Sequence, residues 1–233
     1  MKPIVVIPTY NESENISKLI EQIFFQKIEN LELIIIDDNS PDKTAEIVKK
    51  LQEIYPIQLI QRASKLGLGS ALVAGFLEAI SRGADIIIEM DADFSHDPID
   101  IARLIDATAR GADLVIGSRK IAGGKIIGWN WWRHFESNGA MYFSRLMLGL
   151  NAHDVTAGFR CFKSPILQKI NIDKIQSNGY AFQEEVLYRV SRSGCKIVEI
   201  PVIFRDRTLG QSKLSRKDVL EFFKIIFKLK FNL

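Results

Sequence analysis

Two cysteines are all that 233 residues contain. Cys161 and Cys195 stand far apart, in no Cys-x-x-Cys or Cys/His spacing, so neither a zinc site nor a disulfide scaffold is expected and a reducing compartment is the natural home. No apolar stretch approaches the ~18–20 residues that cross a bilayer, so no transmembrane domain is expected. The first strand is expected from Pro3, which leaves no room for a cleaved leader. Charge is nearly balanced, at +3 with a pI near 8.8. So small an excess favours an anionic ligand or lipid surface only weakly, and nucleic acid is not expected as a partner. Internal repeats, low-complexity tracts and linkers are absent. The glycines of Lys65-Leu66-Gly67-Leu68-Gly69 are no dinucleotide fingerprint, because Leu72 takes the third glycine position, and no GK[ST] follows for a P-loop. An NAD-dependent oxidoreductase is thereby disfavoured.

The apolar fraction of 47% is ample for a core. Its distribution alternates strand and helix. Ile4–Ile7, Leu33–Ile36, Ile57–Ile60, Ile86–Ile88 and Leu114–Ile116 read as strands buried on both faces. Ile16, Leu19, Ile20, Ile23 and Phe24 form a helical stripe between the first two, with Asn11 and Glu14 as its capping start. Ser40-Pro41 and Asp97-Pro98 each place a cap before a proline at the first helical turn. Such an order predicts an α/β fold with a mostly parallel central sheet flanked by helices. Past residue 120 the rhythm changes: 159–163 and 196–204 read as strands, 182–193 and Ser215–Lys230 as helices. The expectation is a single domain over 1–233, with a ligand-binding half at 1–120 and an acceptor half at 121–233.

Residues 85–98 carry the strongest chemical signal. A buried strand ends in Asp91 and Asp93, separated by Ala92, and alternation along an extended chain would turn both carboxylates to one side. Like charges so placed repel, and a divalent cation completed by diphosphate oxygens resolves the conflict. The carboxyl end of a sheet strand is also where open α/β sheets bind ligands. Pro8 is read as the stop of the first strand, putting Tyr10 and Glu12 in the loop beyond it. Asp38, with Asp37 behind it, closes the second strand and can accept hydrogen bonds from a base or ribose, or one of the pair can cap the next helix.

Taken together, PTYNE, DDNSPD, KLGLG and DADFSHDP resemble the inverting GT-A glycosyltransferases. Gly117-Ser118-Arg119, Gly128-Trp129 with Arg133 and Ser137, Asp154 to Arg160, Gly179 to Glu185, and Asp206-Arg207 with Gly210 to Lys213 narrow the likeness to the dolichyl- or polyprenyl-phosphate mannose synthases. The resemblance runs from Pro3 to about Lys230. It implies a GT-A nucleotide-sugar-binding fold, with Pro8, Tyr10, Glu12, Ile36 and Asp38 holding GDP-mannose and Asp91, Ala92 and Asp93 meeting its sugar and diphosphate. It further implies that Asp93, with Asp91 and the Ser95 position, carries Mg2+ or Mn2+. Arg119, Arg207 and Lys213 fall near the reacting phosphates, and Arg133 and Ser137 with Arg119 toward the acceptor phosphate. Some relatives have glutamine where Ser95 stands.

The basic residues suit this chemistry independently, since arginine forks bind phosphate oxygens in pairs. A phosphate acceptor has its second pKa near 6, so it arrives largely anionic and no strong general base is required. Glu184 and Glu185 are the residues to offer for that role, or else salt-bridge partners on a helix. Trp129, Trp131, Trp132, Phe135, Met141, Tyr142 and Phe143 cluster beside Arg133, and the last helix is basic and amphipathic. Both are expected to face a membrane. The resulting expectation is a peripheral enzyme on the cytoplasmic face, transferring mannose with inversion to dolichyl or polyprenyl phosphate, with room for a separate membrane subunit. The competing readings are transfer of glucose or another sugar from a UDP donor, and a non-catalytic nucleotide-binding scaffold, which would not need all of these charges together.

Overall fold

Burial on both faces is what the apolar strand runs demand, and the molecule meets it with a seven-stranded sheet between two layers of helices. The computed structural model describes residues 1–175, 177, 179–206 and 216–231. The strands are β1 (Pro3–Thr9), β2 (Glu32–Asp37), β3 (Ile57–Gln61), β4 (Ile86–Glu89), β5 (Leu114–Ser118), β7 (Arg160–Lys163) and β8 (Ile197–Pro201), in the order β3-β2-β1-β4-β7-β5-β8. β7 runs antiparallel to both β4 and β5; the other pairings are parallel. A separate parallel ribbon joins β6 (Lys125–Ile127) to β9 (Ile203–Arg205). Because β7 and β8 return into the sheet begun by β1, the halves 1–120 and 121–233 share one sheet.

Alternate residues of each strand feed the two layers. Ile4, Val6, Ile34, Ile36, Ile87 and Ile116 enter the core beneath α3 (Leu68–Ser81) and α7 (Gly179–Arg192). Val5, Ile7, Leu33, Ile35, Ile88 and Cys161 enter the one beneath α1 (Ile16–Phe25), α2 (Thr44–Leu51) and α4 (Asp100–Ala109). α5 (Trp131–Leu148), the short α6 (Ser164–Lys169) and α8 (Arg216–Phe231) complete the first layer.

Several local expectations are corrected. Pro8 does not stop β1, which continues to Thr9 with Pro8 opposite Ile36 of β2. Val6 presents its carbonyl to Met90 and Thr9 presents its own to Asp38, so Pro8 has the parity of Val6. Its missing N–H therefore faces the side where β4 has already ended, and no ladder bond is lost. α1 begins at Ile16 rather than near Asn11, which sits at φ 61 in a turn closed by Asn15 N–H and Ile16 N–H on the Glu12 carbonyl. α2 begins at Thr44, whose N–H is accepted by Asp42 Oδ1, so Asp42 and not Ser40 does the capping. α4 begins at Asp100, two residues after Pro98. The run 196–204 is two strands, broken between Pro201 and Ile203. The ribbon strand β6 and helix α6 had no expectation.

α3 lies close on β1 and β2 because its inner face is small: Gly69, Ala71, Gly75 and Ala79 are buried. A Cβ on Gly75 would stand 2.4 Å from Val6 Cγ1 and 2.6 Å from Ile36 Cδ1. Gly75→Ala is therefore expected to destabilise by about 1–3 kcal/mol through overpacking, although helix propensity alone favours alanine by ~1 kcal/mol. Gly139→Ala on α5, where nothing lies within 4 Å of the added methyl, should show the propensity gain instead. Urea midpoints of both variants test this; equal signs would refute close packing at Gly75.

Candidate active site

The loops that leave the carboxyl ends of β1, β2, β4 and β5 supply the candidate residues. β4 ends at Glu89, so Asp91 and Asp93 lie beyond the pleat and strand alternation does not orient them. A turn does. Phe94 takes φ 59, Ser95 N–H donates to Asp93 Oδ1 at 3.0 Å, and Asp91 N–H donates to His96 Nδ1 at 3.1 Å. A bulky residue at positive φ is a costly conformation that persists where its surroundings fix it. His96 is buried, stacked on Phe159 with centroids 4.8 Å apart. Burial pushes its pKa down to about 4 despite the opposing charge of Asp93, so the ring is neutral. With Nδ1 accepting, the proton sits on Nε2, which lies 3.9 Å from Asp91 Oδ2. His96 thus braces the acidic turn from beneath. The sequence reading gave it no role, although it stands within the acidic motif.

The donors available to a cation are carboxylate oxygens, which suit a hard ion such as Mg2+ or Mn2+. Among the described residues no cluster of three or more acidic, histidine or cysteine side chains could enclose an ion by itself. Asp91 and Asp93 therefore fit a half-site that ligand phosphates would complete. The Ser95 hydroxyl is buried and makes no hydrogen bond, so this conformation does not present it to an ion. Ala92 is buried as well, as is the side chain of Ile36, leaving the backbone of each to meet a ligand.

At the far end, Tyr10 is half-buried with Lys65 Nζ 3.6 Å above its ring. Glu12 Oε2 accepts the Asn15 side-chain amide at 2.9 Å. Asp37 accepts from Ser40 N–H and from the hydroxyls of Ser40 and Thr9, closing the turn after β2. Asp38 is buried and bonded to Arg62, and accepts Leu66 N–H and Gly67 N–H at 3.2 Å each. Its carboxylate thus holds the 62–67 loop over the β2 end. The Lys65–Gly69 segment is ordered by this acid, with Gly67 at φ 98.

The stretch 154–160 ties the site together. Asp154 is fully buried and accepts Arg119 Nε, Nη2 and backbone N–H at 2.7, 2.6 and 2.8 Å. Arg119, through these bonds and its backbone N–H, keeps the Asp154 carboxyl below its ordinary value against the desolvation that would raise it. Thr156 Oγ1 accepts Arg119 Nη2 as well, at 2.9 Å. At Gly158 a Cβ would sit 3.9 Å from Asp91 Oδ2 and 3.6 Å from Glu89 Oε1. Arg160 is buried and donates to the carbonyls of Val155, Ala157 and Gln183. Beneath it Gln183 donates to Glu89, whose pKa burial pushes up to about 8.

Arg133 Nη1 donates to Asp206 Oδ2 at 2.6 Å, with its guanidinium 4.4 Å from the Trp129 ring. Ser137 is half-buried one turn further along α5. Arg207 and Lys213 lie outside the described residues. Neither glutamate of α7 is disposed as a base: Glu184 accepts the Ser144 hydroxyl in the α5–α7 contact, and Glu185 holds Ser177 and Arg189. Trp131, Trp132 and Phe135 are 67%, 57% and 66% exposed, and Tyr142 and Leu146 extend their stripe along α5. Met141 is core, whereas Trp129 and Phe143 are half-buried, Phe143 packing on Phe223 and Phe227 of α8. No helix among the described residues is long and apolar enough to cross a membrane.

Residues 4–170 match the family described as Glycosyl transferase family 2. The chain is 39% identical over 222 residues to the polyprenol monophosphomannose synthase of Mycolicibacterium smegmatis, covering 94% of this chain and 83% of that one. It is 40% identical over 216 residues to the undecaprenyl-phosphate mannosyltransferase of Micrococcus luteus, covering 92% and 88%. Among solved structures it is similar to a mannosyltransferase of Pyrobaculum calidifontis in complex with GDP-Man and Mn2+, at 18% identity and TM-score 0.62 over 91% of this chain and 58% of that one. That last likeness is one of fold.

Burial raises the Glu184 pKa to about 8 from 4.5, against Ser144 and Arg160, which lower it. Between those values the unfolded chain releases this proton and the folded chain keeps it, so stability falls as pH rises through the window and levels off above it. Glu184→Gln mimics the protonated form. The variant should lose part of that slope and gain in thermal midpoint, relative to the parent, more at pH 8 than at pH 5. Parallel stability profiles would refute a buried neutral Glu184.

Proposed function

The chain belongs to glycosyl transferase family 2, among the polyprenyl-phosphate mannosyltransferases and with their GT-A-like fold, and from that membership we propose that it transfers mannose from GDP-mannose to a dolichyl or polyprenyl phosphate, inverting the anomeric carbon to give the β-mannosyl phosphate and GDP. The observation that carries the reading is a division of charge at one sheet edge. The acidic turn of Asp91 and Asp93 stands on one side, and Arg119 and Arg133 stand on the other, joined through the 154–160 segment. A reaction between two phosphate-bearing molecules needs both.

On this reading Asp91 and Asp93 hold Mg2+ or Mn2+, which when bound supplies charge neutralisation to the departing diphosphate. Tyr10, Glu12 and the loop held by Asp38 flank the nucleotide, and Arg207 and Lys213 are assigned to its phosphates. Arg119 and Arg133 receive the acceptor phosphate with Ser137. His96, neutral and engaged with Asp91 N–H, orients the acidic turn and moves no proton. Glu184 and Glu185 are committed to packing, which a largely dianionic acceptor tolerates because it brings its own nucleophilic oxygen. Rate enhancement then comes from positioning and electrostatic stabilisation.

The exposed aromatic stripe of α5, Phe223 and Phe227 of α8, and Ile127 and Ile203 of the ribbon form the surface assigned to the membrane. Tryptophan and phenylalanine beside lysine suit the interface of a peripheral protein on the cytoplasmic leaflet. A separate membrane subunit is compatible with this arrangement.

Purified protein with manganese and a polyprenyl phosphate should form a mannosyl lipid from GDP-mannose and little product from UDP-glucose, as read by mass; the reverse preference would replace mannose transfer with glucose transfer. Asp93→Ala or chelation of the metal should lower turnover by roughly 100-fold or more. An unchanged thermal midpoint would show that the loss is chemical; undiminished turnover of the folded variant would remove Asp93 from the site.

A further inference from the structure

Each arginine of the acceptor side already has a carboxylate against it. Arg119 is matched by Asp154, and Arg133 by Asp206. Lys120, which follows Arg119 at the end of β5, is different. Its Nζ donates to Asn138 Oδ1 at 2.8 Å, a neutral amide on α5 next to Ser137, and no described carboxylate forms an ion pair with it. The side chain is half-buried. A half-buried ammonium set beside a guanidinium and a neutral amide gains more from an anion that reaches it than from the amide alone.

We propose that Lys120 is a binding residue for the acceptor's phosphate monoester, held by Asn138 at the edge of the cleft between the β5 end and α5. The inference rests on the mannosyl-transfer reading and deepens it. Lys120 is not among the motif residues that carry the family likeness. Two further observations agree. Burial first, and Arg119 second, depress the Lys120 pKa, with Asp154 opposing, which places the ammonium in the same field as the buried pair. Asn138 lies on the flank of α5 between the half-buried Ser137 and the exposed aromatic stripe, where a lipid's headgroup would pass from the membrane surface to the acidic turn. A phosphate arriving there exchanges an amide contact for a charge-assisted one, without breaking an ion pair. Headgroup phosphates of the bilayer share this chemistry; the phosphate assigned to Lys120 is the acceptor's.

The test uses the full chain with a short, water-soluble prenyl phosphate, titrated calorimetrically and then used as substrate. Lys120→Gln should weaken its binding, and raise its KM, roughly tenfold, as expected for one charge-assisted hydrogen bond. The KM for GDP-mannose and kcat at saturating acceptor should stay within about twofold, since a single charge-assisted contact to the acceptor is what is removed, and Lys120→Arg should restore most of the loss. Unchanged prenyl-phosphate affinity in Lys120→Gln overturns the proposal, as does an equal rise in the donor KM. Sedimentation with phosphatidylcholine vesicles, with and without phosphatidylglycerol, supplies the other arm. Loss of anionic-vesicle binding with intact affinity for the soluble acceptor would assign Lys120 to bilayer headgroups and likewise overturn it. A parent protein that binds prenyl phosphate through Lys120 but transfers no mannose would sink the functional reading and leave this one standing.

Discussion

Removing the Asp154 carboxylate from water without a counter-charge would cost several kcal/mol, and the chain meets that cost with Arg119 gripping it through three N–H groups. Much of the site follows from that contact. Arg119 is fixed at the end of β5, beside Trp129 and Phe204, whose rings lie 5.7 and 5.3 Å from its guanidinium. Asp154 is held in turn by Glu199 of the edge strand β8, which accepts Asp154 N–H at 3.0 Å and His153 N–H at 2.8 Å. From Asp154 the chain runs past Gly158, which leaves room beside Asp91, to Phe159 stacked on His96. One short segment thereby sets the distance between the anionic and cationic halves of the site.

The opposite problem is solved under the acidic turn. Asp91, Asp93 and Glu89 crowd one strand end, and simultaneous ionisation of all three would be unfavourable. Burial raises Glu89 so that it stays protonated at neutral pH, Arg160 opposing and Asp91 assisting. A neutral Glu89 adds no third negative charge beneath Asp91 and Asp93. His96, kept neutral, adds no competing positive charge to that spot.

Strand runs were legible because strands buried on both faces must be apolar along their centres, as β1, β2, β4 and β5 are; β3, at the sheet edge with Gln58 and Gln61, is buried only at Ile57, against the expectation of two covered faces. Which strand ends carry charge was legible for the same reason: charge appears abruptly where the core stops. Local geometry was not. Pro8 reads as a terminator until the neighbour on its N–H side is known to have ended. Asp91 and Asp93 look co-oriented by the pleat, yet a turn with Phe94 at φ 59 orients them. Asp38 reads as an open acceptor, and only the fold shows Arg62 reaching it across 24 residues. Glu184 and Glu185 reverse this pattern, since two adjacent glutamates on a helix advertise chemistry that packing has already consumed. The resemblance points to whole motifs, but the partners that hold those motifs are scattered along the chain, and no spacing announces them.

Surface and site are coupled by one helix. α5 starts with Asn130 capping Arg133 N–H, places Arg133 over Trp129, and then exposes its aromatic stripe away from the core. Leaving Trp131, Trp132 and Phe135 in water is unfavourable, and α8 adds Phe223 and Phe227 to the same layer through Phe143. A lipid surface removes that apolar area from water while the neighbouring cations meet phosphates. The acceptor is a molecule with those same two parts, a hydrocarbon tail and a phosphate head. On the proposed function, a surface that pairs exposed aromatic side chains with Arg133 would match such a substrate as well as a bilayer. On that same reading, the acceptor phosphate would reach the sugar donor without its tail leaving the hydrocarbon, because α5 carries the exposed aromatic stripe and Arg133 on one element.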